Sequence, residues 1–150
     1  MDIRDLVGTP GVLPQDDGRN RVLVVDDDLA QRMLIARILR RAGYECSSAM
    51  STSEARYALS NESFGLLVTD VRMWAEDGLE LVRYVDDEYP DTYSIVVTGF
   101  ADDKLEERAL RAGAFKLLLK PLDLETLTQT VEAAFEAREA AVALRRHQSS

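Results

Sequence analysis

Five strand-like segments, at residues 22–25, 44–49, 64–69, 93–98 and 115–119, divide this chain, and the stretches between them repeat their apolar residues at helical spacing. Val22-Leu23-Val24-Val25 and Leu66-Leu67-Val68 are continuously apolar, which suits strands covered on both faces. A strict alternation of strand and helix leaves few folds open. Right-handed crossovers place the helices on both faces of one parallel sheet, so the expected fold class is α/β, a doubly wound five-stranded parallel sheet.

Punctuation supports the same reading. Apolar positions Met33, Leu34, Ala36, Ile38 and Leu39 run to a stop at Gly43, and Ser51 with Glu54 has capping-box spacing. A helix from Leu79 to Tyr89 closes at Pro90, and one from Asp103 ends at Gly113. Asp123 caps a last helix with Leu124, Leu127, Val131, Ala134 and Phe135 on one face. Residues 1–20, with Gly8, Pro10, Gly11, Pro14 and Gly18, read as a flexible leader, 21–135 as the domain, and 136–150 as a helical extension and tail.

Bulk composition narrows the function. A net charge of -9 argues against direct binding to nucleic acid or an anionic membrane. No apolar run approaches the roughly 18 residues of a membrane span and no signal peptide is evident, so a cytoplasmic location is expected. Cys46 is the single cysteine, read as a small buried hydrophobe, and His147 lies in a solvated tail.

The chemistry sits at the strand ends. Asp26 and Asp27 follow the first strand, Asp70 ends the third, Thr98 ends the fourth, and Lys120-Pro121 follows the fifth. In an open parallel sheet the carboxyl ends line one edge, so these distant residues meet. Three carboxylates there repel one another unless a cation intervenes, and an all-oxygen site without His or Cys suits Mg2+, with Mn2+ as a substitute. Asp70 stands alone and is the candidate nucleophile toward phosphorus, Asp26 and Asp27 hold the metal, and Lys120 and Thr98 offer a cation and a hydroxyl to phosphoryl oxygens.

On these residues the chain resembles the response-regulator receiver domain of two-component signalling. The resemblance covers residues 21–135 and rests on Val22-Leu23-Val24-Val25-Asp26-Asp27-Asp28, Leu67-Val68-Thr69-Asp70-Val71-Arg72-Met73 with Asp77-Gly78, Val96-Val97-Thr98-Gly99, and Gly113-Ala114 leading to Lys120-Pro121. It implies a flavodoxin-like strand order 2-1-3-4-5 and a phospho-acceptor switch rather than a turnover enzyme, with at most slow self-phosphorylation and autodephosphorylation. Asp70 would take a phosphoryl group from a sensor histidine kinase, a phosphotransfer protein or a small phosphodonor. The metal set would be Asp26, Asp27, Asp70 and the backbone carbonyl of Arg72. Thr98 and Lys120 would respond to the phosphoryl group, and the Lys120-Pro121 bond would be cis.

The same resemblance implies that the surface of the fourth helix, fifth strand and fifth helix controls a downstream protein target. A homodimer would use that surface or the carboxyl-terminal helix, where Leu124, Leu127, Val131 and Ala134 have the spacing of a seam that Arg138 breaks, although a face packed on the chain's own sheet is the favoured reading of the same spacing. Two positions depart from the family. Trp74 stands where a proline is usual, and Leu117 where an aromatic switch residue is usual. The resemblance implies that Arg72 and Phe100 hold positions that in the family tune acyl-phosphate lifetime, with ordinary loop packing an equal alternative. Two rival readings are a pseudo-receiver that signals without phosphorylation and a phosphohydrolase of the haloacid dehalogenase type, suggested by the Asp-x-Asp in Asp26-Asp27-Asp28.

Overall fold

The computed structural model describes residues 17–73, 76–100 and 102–148, with the backbone alone at Glu76. Strands β1 (Arg21–Val25), β2 (Glu45–Ala49), β3 (Leu66–Asp70), β4 (Tyr93–Thr98) and β5 (Lys116–Leu119) form one sheet in the order β2-β1-β3-β4-β5. Every pairing is parallel. The doubly wound sheet and its order are therefore as expected. Residues 1–16 of the leader lie outside the described residues, whereas residues 17–20 pack against the domain.

Each helix begins where a short acceptor side chain meets its orphan amides. Asp28 caps α1 (Leu29–Arg41), Ser51 caps α2 (Thr52–Asn61), Asp77 caps α3 (Gly78–Glu88), and Asp102 caps α4 (Asp103–Ala112). In the predicted capping box the Ser51 hydroxyl accepts from the Glu54 amide at 3.2 Å, while the Glu54 carboxylate accepts from Met50 rather than Ser51. Gly113 ends α4 at φ 111°, a left-handed conformation that favours glycine. Asp123 accepts from the amide and hydroxyl of Thr126 to start α5 (Leu124–Gln148), a helix about 37 Å long at the standard rise.

Strand alternation divides the core. Val22 and Val24 of β1 point toward Ile35 and Leu39 of α1 and toward Leu127, Val131 and Phe135 of α5. Leu23 and Val25 point the other way, toward Ala55 and Leu59 of α2 and Leu81 and Val85 of α3. A third cluster joins Val96 to Leu79, Val82 and Ala109 under α3 and α4. Burying a leucine such as Leu23 or Leu39 completely contributes about 1.5–3 kcal/mol, which makes these interlocked faces the main source of stability.

On the last helix this packing bears out a face laid on the chain's own sheet rather than a dimer seam. Leu127, Val131 and Ala134 are fully buried in the chain's own core, so that face is already covered. Arg138, read as a break in the seam, is instead completely buried. Cys46 is half-buried rather than buried, and desolvation, partly offset by Arg40, pushes its thiol up to about 11. No helix among the described residues is long and apolar enough to cross a membrane.

Candidate functional site

The carboxyl ends of β1, β3 and β5 bring Asp26, Asp70 and Lys120 into direct contact. The Lys120 ammonium donates to Asp70 Oδ2 at 2.8 Å and to Asp26 Oδ2 at 3.1 Å, across sequence separations of 50 and 94 residues. Asp27 stands exposed at the rim. Ligand oxygens of Asp26, Asp27 and Asp70 all lie within 4.8 Å of one another. These are hard oxygen donors with no soft ligand among them, and their spacing fits a small divalent cation.

Burial decides the electrostatics of the two inner groups. Asp26 is 1% exposed, and desolvation raises its pKa above 3.8 despite help from the Asp28 amide and Lys120. Burial works against the Lys120 ammonium as well, but hydrogen bonds and charge from Asp70 and Asp26 together outweigh it and raise its pKa above 10.5. The lysine therefore stays a cation, and three carboxylates share one fixed positive charge.

The surrounding backbone holds Asp70 closely. Its Oδ1 accepts from the Arg72 amide at 3.1 Å, its carbonyl accepts from the Thr69 hydroxyl at 3.0 Å, and the Val71 amide reaches the Val97 carbonyl on β4. Gly78 lies directly beneath. A Cβ there would come within 2.0 Å of the Asp70 carbonyl oxygen, so α3 can approach the end of β3 only with glycine at its start. A short antiparallel ladder pairs Arg72 with Asp77 and Met73 with Glu76, while Trp74, one of the two departures from the family, lies outside the described residues.

Thr98 is buried at the end of β4 but turned to its own loop. Its hydroxyl donates to the Phe100 carbonyl at 2.9 Å and accepts from the Phe100 amide at 3.3 Å. The Thr98 carbonyl accepts from the Lys120 amide at 2.7 Å, so main chain already joins these two site residues. Leu117 is partly buried in the cluster under α4, where it packs as an aliphatic group. The Lys120-Pro121 bond is cis, as expected. Arg72 and Phe100 both line a cleft of about 340 Å³, with Val71, Asp77 and Arg108.

Three residues beside the site have structural roles that sequence reasoning did not assign. Asp28 does not join the acid cluster: its carboxylate accepts from Ala30 and Gln31, which removes it from the Asp-x-Asp pattern of the phosphohydrolase reading. Its signal was present, since an aspartate directly before the first helical residue is a strong N-cap. Arg32 donates to the Asp26 carbonyl at 2.8 Å, a contact that no local pattern announces. Gly78 was visible as Asp77-Gly78, a cap followed by glycine, but its closeness to Asp70 depends on the fold.

Fold and site together define a receiver: a five-stranded α/β sheet with Asp70, the Asp26-Asp27 pair and Lys120 at its carboxyl edge. The family described as response regulator receiver domain matches residues 22–132. The chain belongs to that family. It is 37% identical over 120 residues to the response regulator protein PilR of Pseudomonas aeruginosa, covering 80% of this chain and 27% of PilR. It is 34% identical to the DNA-binding transcriptional regulator NtrC of Escherichia coli, covering 77% and 25%. The chain thus spans about a quarter of the length of these relatives. Among solved structures, a CheY-like receiver from Methanospirillum hungatei superposes with a TM-score of 0.77 at 30% identity, covering 81% of this chain and 97% of that one. The beryllofluoride-activated NtrC4 receiver domain dimer gives 0.76 at 32%, covering 79% and 98%.

Proposed function

We propose that this chain is a phospho-acceptor switch in which Asp70 takes a phosphoryl group from a histidine kinase, a phosphotransfer protein or a small phosphodonor. The observation that carries the reading is the Lys120 ammonium bound to Asp70 and Asp26 at once, with Asp27 beside them. An Asp70 oxygen attacks phosphorus as the bond to the donor's nitrogen or oxygen breaks, leaving an acyl phosphate on the protein. Lys120 moves from pairing a carboxylate to pairing a phosphoryl oxygen, and the Thr98 hydroxyl turns from Phe100 toward a second one.

Mg2+ would be held by Asp26, Asp27, Asp70 and the Arg72 carbonyl, and when bound it supplies charge neutralisation for the transferring group. Phosphorylation then shifts the population toward the conformer with Thr98 and Lys120 drawn inward, which alters the surface of α4, β5 and α5 for a downstream protein or a second copy. Near-complete switching needs about 5.5 kcal/mol of differential interaction, within reach of a few charge-assisted hydrogen bonds. Residues 21–135 form the receiver unit in this reading, its setting is cytoplasmic, and its output is not direct nucleic-acid binding. Exposed Leu29, Met33 and Leu34 on α1, beside the acid pocket, supply an apolar surface for a protein donor.

Intact mass after incubation with Mg2+ and acetyl phosphate tests the reading. Wild type gains one phosphoryl group and Asp70→Asn gains none. A wild-type chain that gains none, with Trp74 fluorescence unmoved by Mg2+ or beryllofluoride, would instead be a pseudo-receiver.

A further inference from the structure

α5 is one helix held in two ways. Its first half is fixed by apolar burial: Leu127, Val131, Ala134 and Phe135 sit in the core, and the Phe135 ring stacks on Tyr44 at 5.2 Å. Beyond Arg138 that support nearly ends, because Val142 is the one buried residue between 139 and 148. The second half is held by charge. Arg138 is 0% exposed, donates through Nε to the Asp91 carbonyl at 2.6 Å, donates through Nη2 to the Asp17 carbonyl, and pairs with Glu139 at 2.5 Å.

Around this buried guanidinium runs a ring of ion pairs whose arginines are exposed and whose carboxylates are partly covered. Arg19 reaches Glu139 at 3.2 Å, Arg146 reaches Asp17 at 3.4 Å, and Arg145 pairs with Asp91. The two carbonyls that Arg138 grips precede β1 and β4, at the edge of the sheet opposite the acid pocket. Its seat is preformed by glycines. A Cβ on Gly65 would come within 2.5 Å of the Phe135 ring, 2.7 Å of the Gly18 carbonyl and 3.3 Å of Arg138 Nε.

We propose that residues 139–148 form a strap latched by Arg138, which opens as a unit separate from the rest of the receiver and then frees the segments at Asp17, Arg19 and Asp91 that its ion pairs hold at the base of the sheet. Local opening is set by how much apolar surface and how many protected hydrogen bonds a segment would give up. Here the strap gives up one buried valine, its bonds to Arg138 and a ring of screened ion pairs. The core half of α5 would give up four buried side chains, so it stays closed when the strap lifts.

Native-state hydrogen exchange on the full chain, read by fragment mass, tests this. In Arg138→Ala the amides of 139–148 should exchange about tenfold faster or more, while those of 127–135, β1 and β3 keep wild-type protection. Glu139→Gln, and wild type at high salt, should move the same segment in the same direction by less. Unchanged exchange of 139–148 in Arg138→Ala overturns the proposal. So does loss of protection across α5 and the sheet together, or failure of Arg138→Ala to fold, since Arg138 would then support the whole core. Uniform acceleration in Glu139→Gln or in high salt overturns it as well.

Discussion

The two edges of the sheet resolve buried charge in opposite ways. At the carboxyl edge three carboxylates gather around one lysine, which leaves the pocket anionic and its inner acid, Asp26, costly to ionise. At the amino edge one arginine meets two neutral carbonyls and a single carboxylate, all within hydrogen-bond reach. The first arrangement is short of positive charge and so suited to recruiting it. The second is complete, and its work is to hold chain segments together. Reactivity follows the deficit in neutralisation, whereas burial alone is common to both edges.

The sharpest break of this comparison is Asp70→Asn, which should abolish phosphoryl uptake in the mass assay while leaving hydrogen exchange at 139–148 unaltered. Next is Gly78→Ala: its Cβ would press on the Asp70 carbonyl, and we expect a loss of about 1–3 kcal/mol in urea unfolding together with slower phosphoryl uptake. Gly65→Ala is the matching change at the other edge. It should cost about 1 kcal/mol, since part of the strain falls on the Phe135 side chain, with the uptake rate unchanged. If Gly65→Ala slows uptake as much as Gly78→Ala does, the two edges are not independent.

The smallest effect concerns Asp123, whose carboxyl is held below 3.8 by its hydrogen bonds to the Thr126 hydroxyl and amide. A folded pKa below the unfolded one adds stability that is full above 3.8 and is lost as pH falls through the folded value. Wild type should therefore be slightly more stable than Asp123→Ala at neutral pH. The difference should shrink to nothing in acid, as measured by thermal unfolding across pH.

The carboxyl edge was legible in the sequence because parallel topology makes strand ends converge. Asp26, Asp27, Asp70 and Lys120 could be placed together from apolar runs alone, and in the structure Lys120 bonds Asp70 and Asp26 while ligand oxygens of Asp26, Asp27 and Asp70 lie within 4.8 Å of one another. Thr98 was placed at the correct strand end, but its hydroxyl is engaged by Phe100, a loop geometry that no periodicity encodes. The amino edge was not legible. Arg138 in an Ala, Arg and Glu stretch looks like a solvated helix face, and its partners are backbone carbonyls, which have no residue signature. Leu127, Val131 and Ala134 satisfied both a core pattern and a seam pattern, because a helix face has the same spacing whichever surface covers it.

A single oxygen at position 98 fastens the turn that begins α4, and its carbonyl is tied to the neighbouring strand at residue 120. Since the main chain there is pinned, reorientation is confined to torsion about one side-chain bond. The one proton of this hydroxyl cannot serve a phosphoryl oxygen and the Phe100 carbonyl simultaneously. In the proposed switch, donation to a phosphoryl oxygen would release the Phe100 carbonyl, and the exposed Phe100 ring would be the outward end of an exchange that needs no aromatic partner at Leu117.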